Sequence, residues 1–318
     1  MASLIKSKFT GKDIITLDQF DTESIQVLFD RTDALKEIGQ KGLPSDILAG
    51  KLVTLLFYEP SSRTRASFDA ATKQLGGNTI VVEDPQHFSS VSKGETLEDT
   101  IQVFEAYTDA IVLRHPEIGT AKKAARAARH VPIINAGDGI GEHPTQALLD
   151  MYTVFEKTGK LSGLKGVMAG DIKNGRTVHS LLQGLSFYEK NEIYLLSPES
   201  LRLSKSDMQE IKKSGVKLHE INSTDEIPKD CDFWYWTRVQ KERFASEEEY
   251  KKVNNQFVVT KKLLNSRANK NTILMHPLPR VGEIKEEVDS DLRAVFLRNQ
   301  IRNGMYTRMA LLSLVLGK

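Results

Sequence analysis

The feature that most constrains the fold is a regular alternation of short apolar runs with helical patterns. In a first series, the apolar runs lie at residues 52–57, 79–82, 110–113 and 131–135. Amphipathic segments at residues 63–75 and 120–129, and one that begins at Thr96, separate these runs. Strands that alternate with helices are joined by crossovers, and repeated crossovers produce a parallel sheet covered by helices. The sequence therefore predicts an α/β protein.

A second series of the same kind follows a long helix predicted at residues 143–157. Thr158 and Gly159 end this helix, and residues 161–166 have the composition of a linker. Helices are expected at residues 175–187 and 201–214 and in the tail at 291–316. The strands expected beyond the linker lie at residues 167–169, 193–196, 216–220, 232–236 and 272–275.

The length of 318 residues agrees with two domains, since a domain has about 150 residues. We expect two doubly wound parallel-sheet domains with the active site in the cleft between them. The first domain should comprise residues 1–150 and be completed by a C-terminal helix at about 291–318. The second domain should comprise residues 151–290.

The charge balance argues against one broad class of function. The chain has 44 Lys and Arg residues and 42 Asp and Glu residues, for a formal net charge of +2. Nucleic-acid-binding proteins usually carry a strong basic excess instead. The basic run at residues 122–129 is interpreted as the solvated face of an Ala-rich helix. We therefore expect no nucleic-acid partner.

The single cysteine, Cys231, bears on bound groups and on location. A lone cysteine excludes an intrachain disulfide and a Cys-based zinc cluster, and such sparse use is typical of a reducing compartment. No apolar run approaches the ~20 residues that span a bilayer, and the first residues lack the apolar core of a signal peptide. We expect a cytoplasmic protein with no membrane segment, no metal and no cofactor.

The first strand leads into a sequence suited to binding an anion. Residues 59–65 read EPSSRTR and open a helix, so hydroxyls and backbone N–H groups gather where the helix dipole favours negative charge. The guanidinium of Arg63 can bind two phosphate oxygens at once. This pattern predicts a phosphate cradle. The alternative is that Ser61 or Ser62 only caps the helix and that the arginines are solvated.

Further polar residues follow the third and fourth strands. Arg114 lies after the third strand, and His143 follows the turn after the fourth strand. Gln146 lies three residues beyond His143, on the same face of the next helix. Ligands of open α/β sheets bind at the carboxyl ends of the strands. We therefore expect these side chains to lie near the same sheet edge as the phosphate cradle.

The second series places two arginines at strand ends. Arg176 opens the helix after the strand at 167–169, and Arg238 follows the strand at 232–236. Each planar guanidinium matches one carboxylate, so the pair suits a dicarboxylate ligand. The alternative for Arg238 is a surface salt bridge. Trp234 and Trp236 are expected in the core or at a domain interface.

Taken together, seven sequence strings resemble those of the aspartate/ornithine carbamoyltransferase family. They are SSRTR at 61–65, KGETL at 93–97, RHP at 114–116, HPTQ at 143–146, GDIKNGR at 170–176, TRVQKER at 237–243 and HPLPR at 276–280. Each string is weak evidence alone, but the seven occur in the family's order over nearly the whole chain. The tail at 303–312 is also similar to the last helix of this family.

Two features within this resemblance favour the aspartate-specific branch over the ornithine-specific one. Ornithine-specific relatives typically carry a cysteine in the late motif, and Pro277 takes that place here. The string at 237–243 is also similar to the aspartate-specific version. The resemblance thus implies transfer of the carbamoyl group of carbamoyl phosphate to the amino group of L-aspartate, with carbamoyl phosphate binding first and the domains closing.

The same resemblance implies roles for individual residues. Those implied for catalysis are Arg63, Thr64, Arg114 and His143. Those implied for binding carbamoyl phosphate are Ser61, Arg63, Thr64, Arg114, His143, Gln146, Leu278 and Pro279. Those implied for binding aspartate are Lys93, Arg176, Arg238 and Gln240.

The resemblance also implies an assembly. In this family Ser89 and Lys93 would reach into the active site of a neighbouring subunit, which makes a homotrimer with shared sites the minimal active unit. The alternative interpretation of residues 87–94 is a flexible surface loop. Because relatives occur with and without a regulatory chain, such a chain is a candidate partner.

Two rival functions fit part of the pattern. A carbamoyltransferase for ornithine would need acidic or neutral groups facing a cationic side chain, and not two arginines. A non-catalytic subunit that binds carbamoyl phosphate or another anion would have a broken catalytic set. Here that set is complete, since Arg63, Thr64, Arg114, His143 and Gln146 are all present.

Overall fold

The structure is a computed structural model that describes residues 4–5, 8–88, 90–139, 141–204, 206, 208–209, 211, 215–241, 244–254 and 256–317. The chain divides into two compact units. Unit 1 comprises Met1–Leu149 and Arg302–Lys318, and unit 2 comprises Asp150–Ile301.

The sheet of unit 1 has four parallel strands in its described part, in the order β2-β1-β3-β4. The strands are β1 (Leu52–Phe57), β2 (Asn78–Glu83), β3 (Ala110–His115) and β4 (Ile133–Asp138). Strands β3 and β4 are buried along their whole length, as runs of aliphatic residues favour. All four predicted strands are confirmed, with ends that differ by up to three residues.

Helices connect and cover these strands. They are α2 (Ser62–Gln74), α3 (Pro85–Phe88), α4 (Leu97–Glu105), α5 (Thr120–Ala127) and α6 (Pro144–Thr158). Ile101 of α4 and Ala121 and Ala124 of α5 share a core with Leu56 and Ile111 of the sheet. The small alanines let α5 lie close to the strands, while its basic side chains remain on the outer face.

Helix α1 (Thr22–Lys41) lies outside the predicted series. Its signals are present in the sequence, because Asp21 and Ser24 form a reciprocal capping box. Its buried positions also recur with helical spacing, at Ser24, Ile25, Leu28, Phe29, Thr32 and Leu35.

The C-terminal helix (Asn299–Leu316) returns the end of the chain to unit 1. The guanidinium of Arg308 lies over the Phe68 ring, 5.0 Å from its centroid, and also donates to the Ser67 hydroxyl at 2.6 Å. Arg31 Nε donates to Ser313 Oγ at 2.9 Å. These contacts hold the last helix against α1 and α2.

The sheet of unit 2 has five parallel strands in its described part, in the order β7-β6-β5-β8-β9. The strands are β5 (Lys165–Ala169), β6 (Glu192–Leu196), β7 (Lys217–Ile221), β8 (Phe233–Trp236) and β9 (Ile273–Met275). The helices are α7 (Arg176–Leu185), α8 (Glu247–Val253) and α9 (Lys261–Arg267). All five predicted strands are confirmed to within two residues.

Trp234 and Trp236 lie in the core of unit 2, which decides between their two predicted places. Both side chains are fully buried, and Trp236 Nε1 donates to the Phe257 carbonyl at 2.9 Å. The helix predicted at 201–214 falls partly outside the described residues. Its predicted first residue, Leu201, ends a 3-10 turn at Glu199–Leu201, whereas the described residues 206, 208–209 and 211 are helical as predicted.

One prediction is wrong: the tail helix begins at Asn299 and not at residue 291. Residues 291–298 run beside β9, where the Leu274 N–H donates to the Arg293 carbonyl at 2.7 Å and the Val295 N–H donates to the Leu274 carbonyl at 3.0 Å. Ala294 thus forms an isolated β-bridge with Leu274, and turns occupy most of the rest of the segment, so the helix begins only at Asn299.

Both sheets are doubly wound, and the winding determines which loops are expected to bind ligands. In unit 1 the chain passes from β1 to β2 on one side and to β3 on the other, so the order reverses between β1 and β3. In unit 2 the same reversal lies between β5 and β8. Ligands of such sheets bind beyond the carboxyl ends of the strands at this reversal.

Candidate active site

The phosphate cradle predicted at residues 61–65 lies at the N-terminus of α2. Ser61 occupies the N-cap position, but its hydroxyl makes no capping hydrogen bond. The first turn of α2 contains no acidic residue, so the positive end of the helix dipole is not neutralised from within. Thr64 is buried and Arg63 is exposed. The alternative in which Ser61 caps the helix through its hydroxyl is therefore not observed.

Arg114 lies at the end of β3, next to this cradle. Its side chain is buried, Nη1 donates to the Ala136 carbonyl at 3.2 Å, and Nη2 forms an ion pair with Glu59 at 3.0 Å. Glu59 lies two residues before Ser61 along the chain. Arg114 therefore ties the end of β4 to the loop that carries the cradle.

His143 lies immediately before α6, whose first residue is Pro144. Proline is favoured at that position because it needs no N–H partner there. The His143 side chain is buried, and its Nδ1 lies 3.4 Å from the Thr145 hydroxyl. The His143 carbonyl accepts from the Gln146 N–H at 2.9 Å, which places Gln146 in the first turn of the helix.

The turn that leads to His143 is held by Asp138. One carboxylate oxygen accepts from the Glu142 N–H at 3.1 Å and the other accepts from the Gly119 N–H at 3.0 Å. Glu142 in turn accepts from the Leu17 N–H at 2.7 Å, and burial raises the pKa of its carboxyl group. These bonds fix the backbone on the approach to His143.

His115 follows Arg114 but takes part in the structure of the loop. Its Nδ1 accepts from the Glu117 N–H at 3.0 Å, and its ring lies 4.6 Å from the ring of Tyr58. Burial lowers the pKa of His115, although the nearby Glu117 and Asp138 carboxylates oppose that effect. The neutral imidazole is the form that can accept this hydrogen bond.

Lys93 is distant from residues 61–65 in the sequence and belongs to a different local structure. It ends a short 3-10 turn at Ser90–Lys93, and its side chain is exposed. Ser89, which was predicted to act with Lys93, lies outside the described residues. Within unit 1, the sequence-predicted residues that surround the sheet reversal are thus Ser61, Arg63, Thr64 and Arg114, with His143 and Gln146 after β4.

In unit 2, Arg176 opens α7 after a tight turn at the end of β5. Asp171 is fully buried, and one of its oxygens accepts from the Asn174 N–H at 3.0 Å. A side chain on Gly175 would meet the Asp171 carbonyl at 2.4 Å, so the turn requires glycine there. This geometry fixes the point at which the Arg176 side chain leaves the sheet.

Arg238 and Gln240 lie in the loop after β8, the strand next to β5. Gln240 Nε2 donates to the Asn174 carbonyl at 3.0 Å, which joins this loop to the turn before Arg176. Gly170 has a φ of +108°, and a side chain there would meet the Thr237 carbonyl at 2.1 Å. The two loops therefore approach closely. Glu242 and Arg243, at the end of the same motif, lie outside the described residues.

Leu278 and Pro279 belong to a loop after β9 that we call the 276–283 loop. The peptide bond between them is cis, and Leu278 has a φ of +60°, an unusual value for a residue with a side chain. The Leu278 N–H donates to His276 Nδ1 at 2.8 Å. Such backbone conformations persist where the surrounding structure holds them in place.

Several residues that support these positions were not identified from the sequence. Glu59 pairs with Arg114, and Glu283 bonds to His276. Asp150 accepts from the Tyr235 hydroxyl at 2.8 Å and from Gln300 at 2.7 Å. A buried carboxylate needs partners, but the sequence shows neither the burial nor the partner. Only Glu59 carried a signal, because it lies directly beside a motif.

Two kinds of feature are absent from the described residues. No group of three or more His, Cys, Asp or Glu side chains is arranged to hold a metal ion there. In the same part of the chain, no helix combines the length and the apolar character needed to cross a membrane.

Two domain families match the sequence, and together they cover most of it. Residues 12–156 match the family described as "Aspartate/ornithine carbamoyltransferase, carbamoyl-P binding domain". Residues 162–315 match the family described as "Aspartate/ornithine carbamoyltransferase, Asp/Orn binding domain".

Named relatives agree with this match. The chain is 46% identical to the chloroplastic aspartate carbamoyltransferase of Arabidopsis thaliana, over 97% of this chain and 79% of the relative. It is 45% identical to the multifunctional protein pyr1-3 of Dictyostelium discoideum over 98% of this chain, but that stretch is only 14% of the relative's length.

Solved structures are similar as well. The fold matches aspartate transcarbamoylase from Trypanosoma cruzi in complex with carbamoyl phosphate, with a TM-score of 0.90 and 37% identity, over 99% of this chain and 98% of that chain. It also matches the catalytic subunit of M. jannaschii aspartate transcarbamoylase, with a TM-score of 0.88 and 42% identity, over 95% and 96% of the two chains.

Proposed function

The chain belongs to the aspartate/ornithine carbamoyltransferase family, and from this premise we propose that it transfers the carbamoyl group of carbamoyl phosphate to the amino group of L-aspartate. The products are N-carbamoyl-L-aspartate and phosphate. The reaction is an early step of pyrimidine biosynthesis. The observation that carries the proposal is the arrangement of cationic and hydroxyl side chains at both sheet reversals, in a chain whose relatives carry this enzyme's name.

Unit 1 supplies the groups that hold carbamoyl phosphate. The phosphate lies at the N-terminus of α2, where Ser61, Arg63 and Thr64 and the helix N–H groups offer donors. The Arg114 side chain is already oriented by its contacts with Glu59 and the Ala136 carbonyl before the substrate binds. A side chain oriented in advance loses less conformational freedom on binding.

Thr64, Arg114 and His143 then stabilise the charge that develops on the carbamoyl oxygen. The amine nitrogen of aspartate attacks the carbamoyl carbon, and a tetrahedral intermediate carries negative charge on that oxygen. Fixed donors aimed at such an oxyanion are each worth about 2.7–4 kcal/mol. His143 acts as a hydrogen-bond donor in this scheme.

The intermediate collapses with loss of phosphate. The bond between the carbamoyl carbon and the bridging oxygen breaks, and the oxygen keeps the electron pair. The proton lost from the amine goes to the departing phosphate. Because no covalent enzyme intermediate forms, the rate comes from positioning and from electrostatic stabilisation.

Unit 2 supplies the groups that hold aspartate. Arg176 and Arg238 each pair with one carboxylate, and Gln240 adds a polar contact from the loop that is bonded to the turn before Arg176. The backbone carbonyls of Pro277 and Leu278 accept hydrogen bonds from the carbamoyl NH₂ or from the incoming amine. The side chain of Gln146 of unit 1 accepts from the same groups. Pro279 shapes the 276–283 loop.

The proposed active assembly is a homotrimer with shared sites. Its support is the KGETL string at 93–97 and the exposure of Lys93 on its turn. In this assembly Lys93 enters the site of a neighbouring subunit and contacts aspartate there. A regulatory chain is a candidate partner.

The proposed location is the cytoplasm, and this proposal rests on the presence of a single cysteine, which suits a reducing compartment. The relatives from Arabidopsis thaliana and Pisum sativum carry the name chloroplastic. Fractionation of cells that produce the chain, followed by immunodetection, tests the proposal. Recovery from an organelle fraction would overturn it.

A direct experiment tests the reaction. Carbamoyl phosphate labelled with ¹³C at its carbonyl is incubated with the protein and L-aspartate, and the carbonyl signal is followed by NMR. The proposal expects a new signal at the position of authentic N-carbamoyl-L-aspartate, with one phosphate released for each product formed. Release of phosphate above the enzyme-free rate without that signal would identify a phosphatase and overturn the proposal.

A further inference from the structure

The 276–283 loop is closed by one buried carboxylate. Glu283 Oε1 lies 2.6 Å from His276 Nε2, and Glu283 Oε2 accepts from the Val281 N–H at 3.0 Å. Both His276 and Glu283 are almost fully buried. The two oxygens of Glu283 therefore bond to residues on both sides of Leu278 and Pro279.

The hydrogen bonds determine the protonation of the histidine. The Leu278 backbone N–H can only donate, so His276 Nδ1 must accept and cannot carry a proton. The remaining ring proton of the neutral imidazole lies on Nε2 and is donated to Glu283. The Leu278 N–H thus donates to His276 Nδ1, and His276 Nε2 donates to Glu283.

This chain of bonds reaches the backbone that the proposed function assigns to substrate. It holds Leu278 in its positive φ conformation, and that conformation sets the direction of the carbonyls of Pro277 and Leu278. Burial alone would raise the pKa of Glu283, but the hydrogen bond from His276 and the hydrogen bonds from the loop N–H groups hold that pKa below its usual value. Glu283 is therefore ionised, as a double acceptor must be.

We propose that Glu283 and His276 are positioning residues for the carbamoyl transfer, which orient the Pro277 and Leu278 carbonyls without touching the substrate. The proposal rests on the proposed function. An amide cannot replace Glu283, since Gln offers one accepting oxygen and one donating nitrogen to two donors. Either the Val281 N–H or the His276 Nε2 proton would then face another donor.

The test compares the unaltered protein with Glu283→Gln. A loop displaced by a fraction of an ångström should lower kcat by roughly tenfold to a hundredfold. Inhibition by inorganic phosphate, which binds at the cradle of unit 1, should be unchanged. Glu286→Gln is the matched control, because Glu286 is an exposed carboxylate three residues further along, and it should retain the unaltered kcat.

The double variant Glu283→Gln/His276→Asn separates positioning from general damage. If both residues act through one chain of bonds, the double variant should lose no more kcat than the worse single variant. Losses that multiply would overturn the shared role. An unchanged kcat in folded Glu283→Gln would overturn the proposal, as would an equal loss of phosphate inhibition.

Amide hydrogen exchange in the unaltered protein provides a measurement that needs no variant to fold. The Val281 N–H should exchange slowly even though its residue is 52% exposed, because its partner is a buried carboxylate. Rapid exchange at Leu278 and Val281 would overturn the proposal. Absence of turnover by the unaltered protein would instead overturn the proposed function, and the positioning role with it.

Discussion

At the scale of single residues, the arginines assigned to substrate differ in how they are held. Arg114 is buried and has two protein partners, whereas Arg63 is exposed at the start of α2. A buried guanidinium that is already anchored cannot move far to meet its ligand. In the proposed site, Arg114 is therefore the fixed, buried member and Arg63 the more exposed one.

His143 offers a prediction about catalysis. His143→Ala removes one donor to the carbamoyl oxygen, so kcat should fall by about 10²–10³. The fold should persist, because α6 keeps its proline start. Exposed His130, replaced in the same way, is the control and should leave kcat unchanged. A His143→Ala protein with the unaltered kcat would remove this residue from the mechanism.

His115 offers a prediction about pH. Burial lowers its pKa below the ordinary value of 6.5, so protonation favours the unfolded chain. The stability that neutral His115 contributes is complete above pH 6.5 and is lost as the pH falls from there through the lowered pKa. His115→Asn keeps an acceptor for the Glu117 N–H but cannot titrate.

Thermal unfolding at about pH 7.5 and about pH 5 measures this effect, because the range spans the titration of histidine. The Tm of the unaltered protein should fall more over that range than the Tm of His115→Asn. Equal falls would show that His115 does not contribute to the acid sensitivity.

At the scale of elements, long-range contacts decide what the sequence can predict. Strands β1 and β3 are recognisable because their apolar runs are buried whatever their neighbours are. The segment 291–298 was misread because its backbone partner, Leu274, lies far away in the sequence. The predicted phosphate cradle is a local sequence pattern and could therefore be proposed from the sequence, whereas the bonds of Glu283 span a loop and could not.

The pairing of β5 with β8 offers a prediction about stability. A side chain on Gly166 would meet the ring of buried Phe233 at 2.3 Å, so Gly166→Ala should destabilise the protein by about 1–3 kcal/mol. Urea unfolding measures this change. Adding Phe233→Leu should recover part of the loss, because the smaller side chain leaves space, whereas strictly additive losses would contradict the steric cause.

At the scale of the whole molecule, the chain contains two sheets with the same winding, and each has functional candidates at its reversal. The cations of unit 1 suit a phosphate and those of unit 2 suit two carboxylates. The proposed assignment of phosphate to unit 1 and of aspartate to unit 2 rests on residues at strand ends that were identified from the sequence. The proposed assembly of subunits rests only on the family resemblance of the string at 93–97, because no other feature of the sequence indicates a subunit contact.

Mixing of variants tests the shared site. Lys93→Ala and Arg63→Ala chains are each expected to be nearly inactive. After dissociation and reassembly together, some trimers should contain a site with both residues intact, and part of the activity should return. Each variant reassembled alone is the control. Failure to recover activity in mixed trimers would show that Lys93 does not serve a neighbouring subunit.

The central claim is that two arginines in unit 2 select a dicarboxylate acceptor, and acceptor specificity measures it most directly. The protein is supplied with carbamoyl phosphate and with either L-aspartate or L-ornithine, and carbamoylated product is quantified to obtain kcat/KM for each amine. The account predicts turnover with aspartate and none above background with ornithine. Turnover with ornithine would be consistent with the proposed phosphate cradle but would contradict the assignment of Arg176 and Arg238.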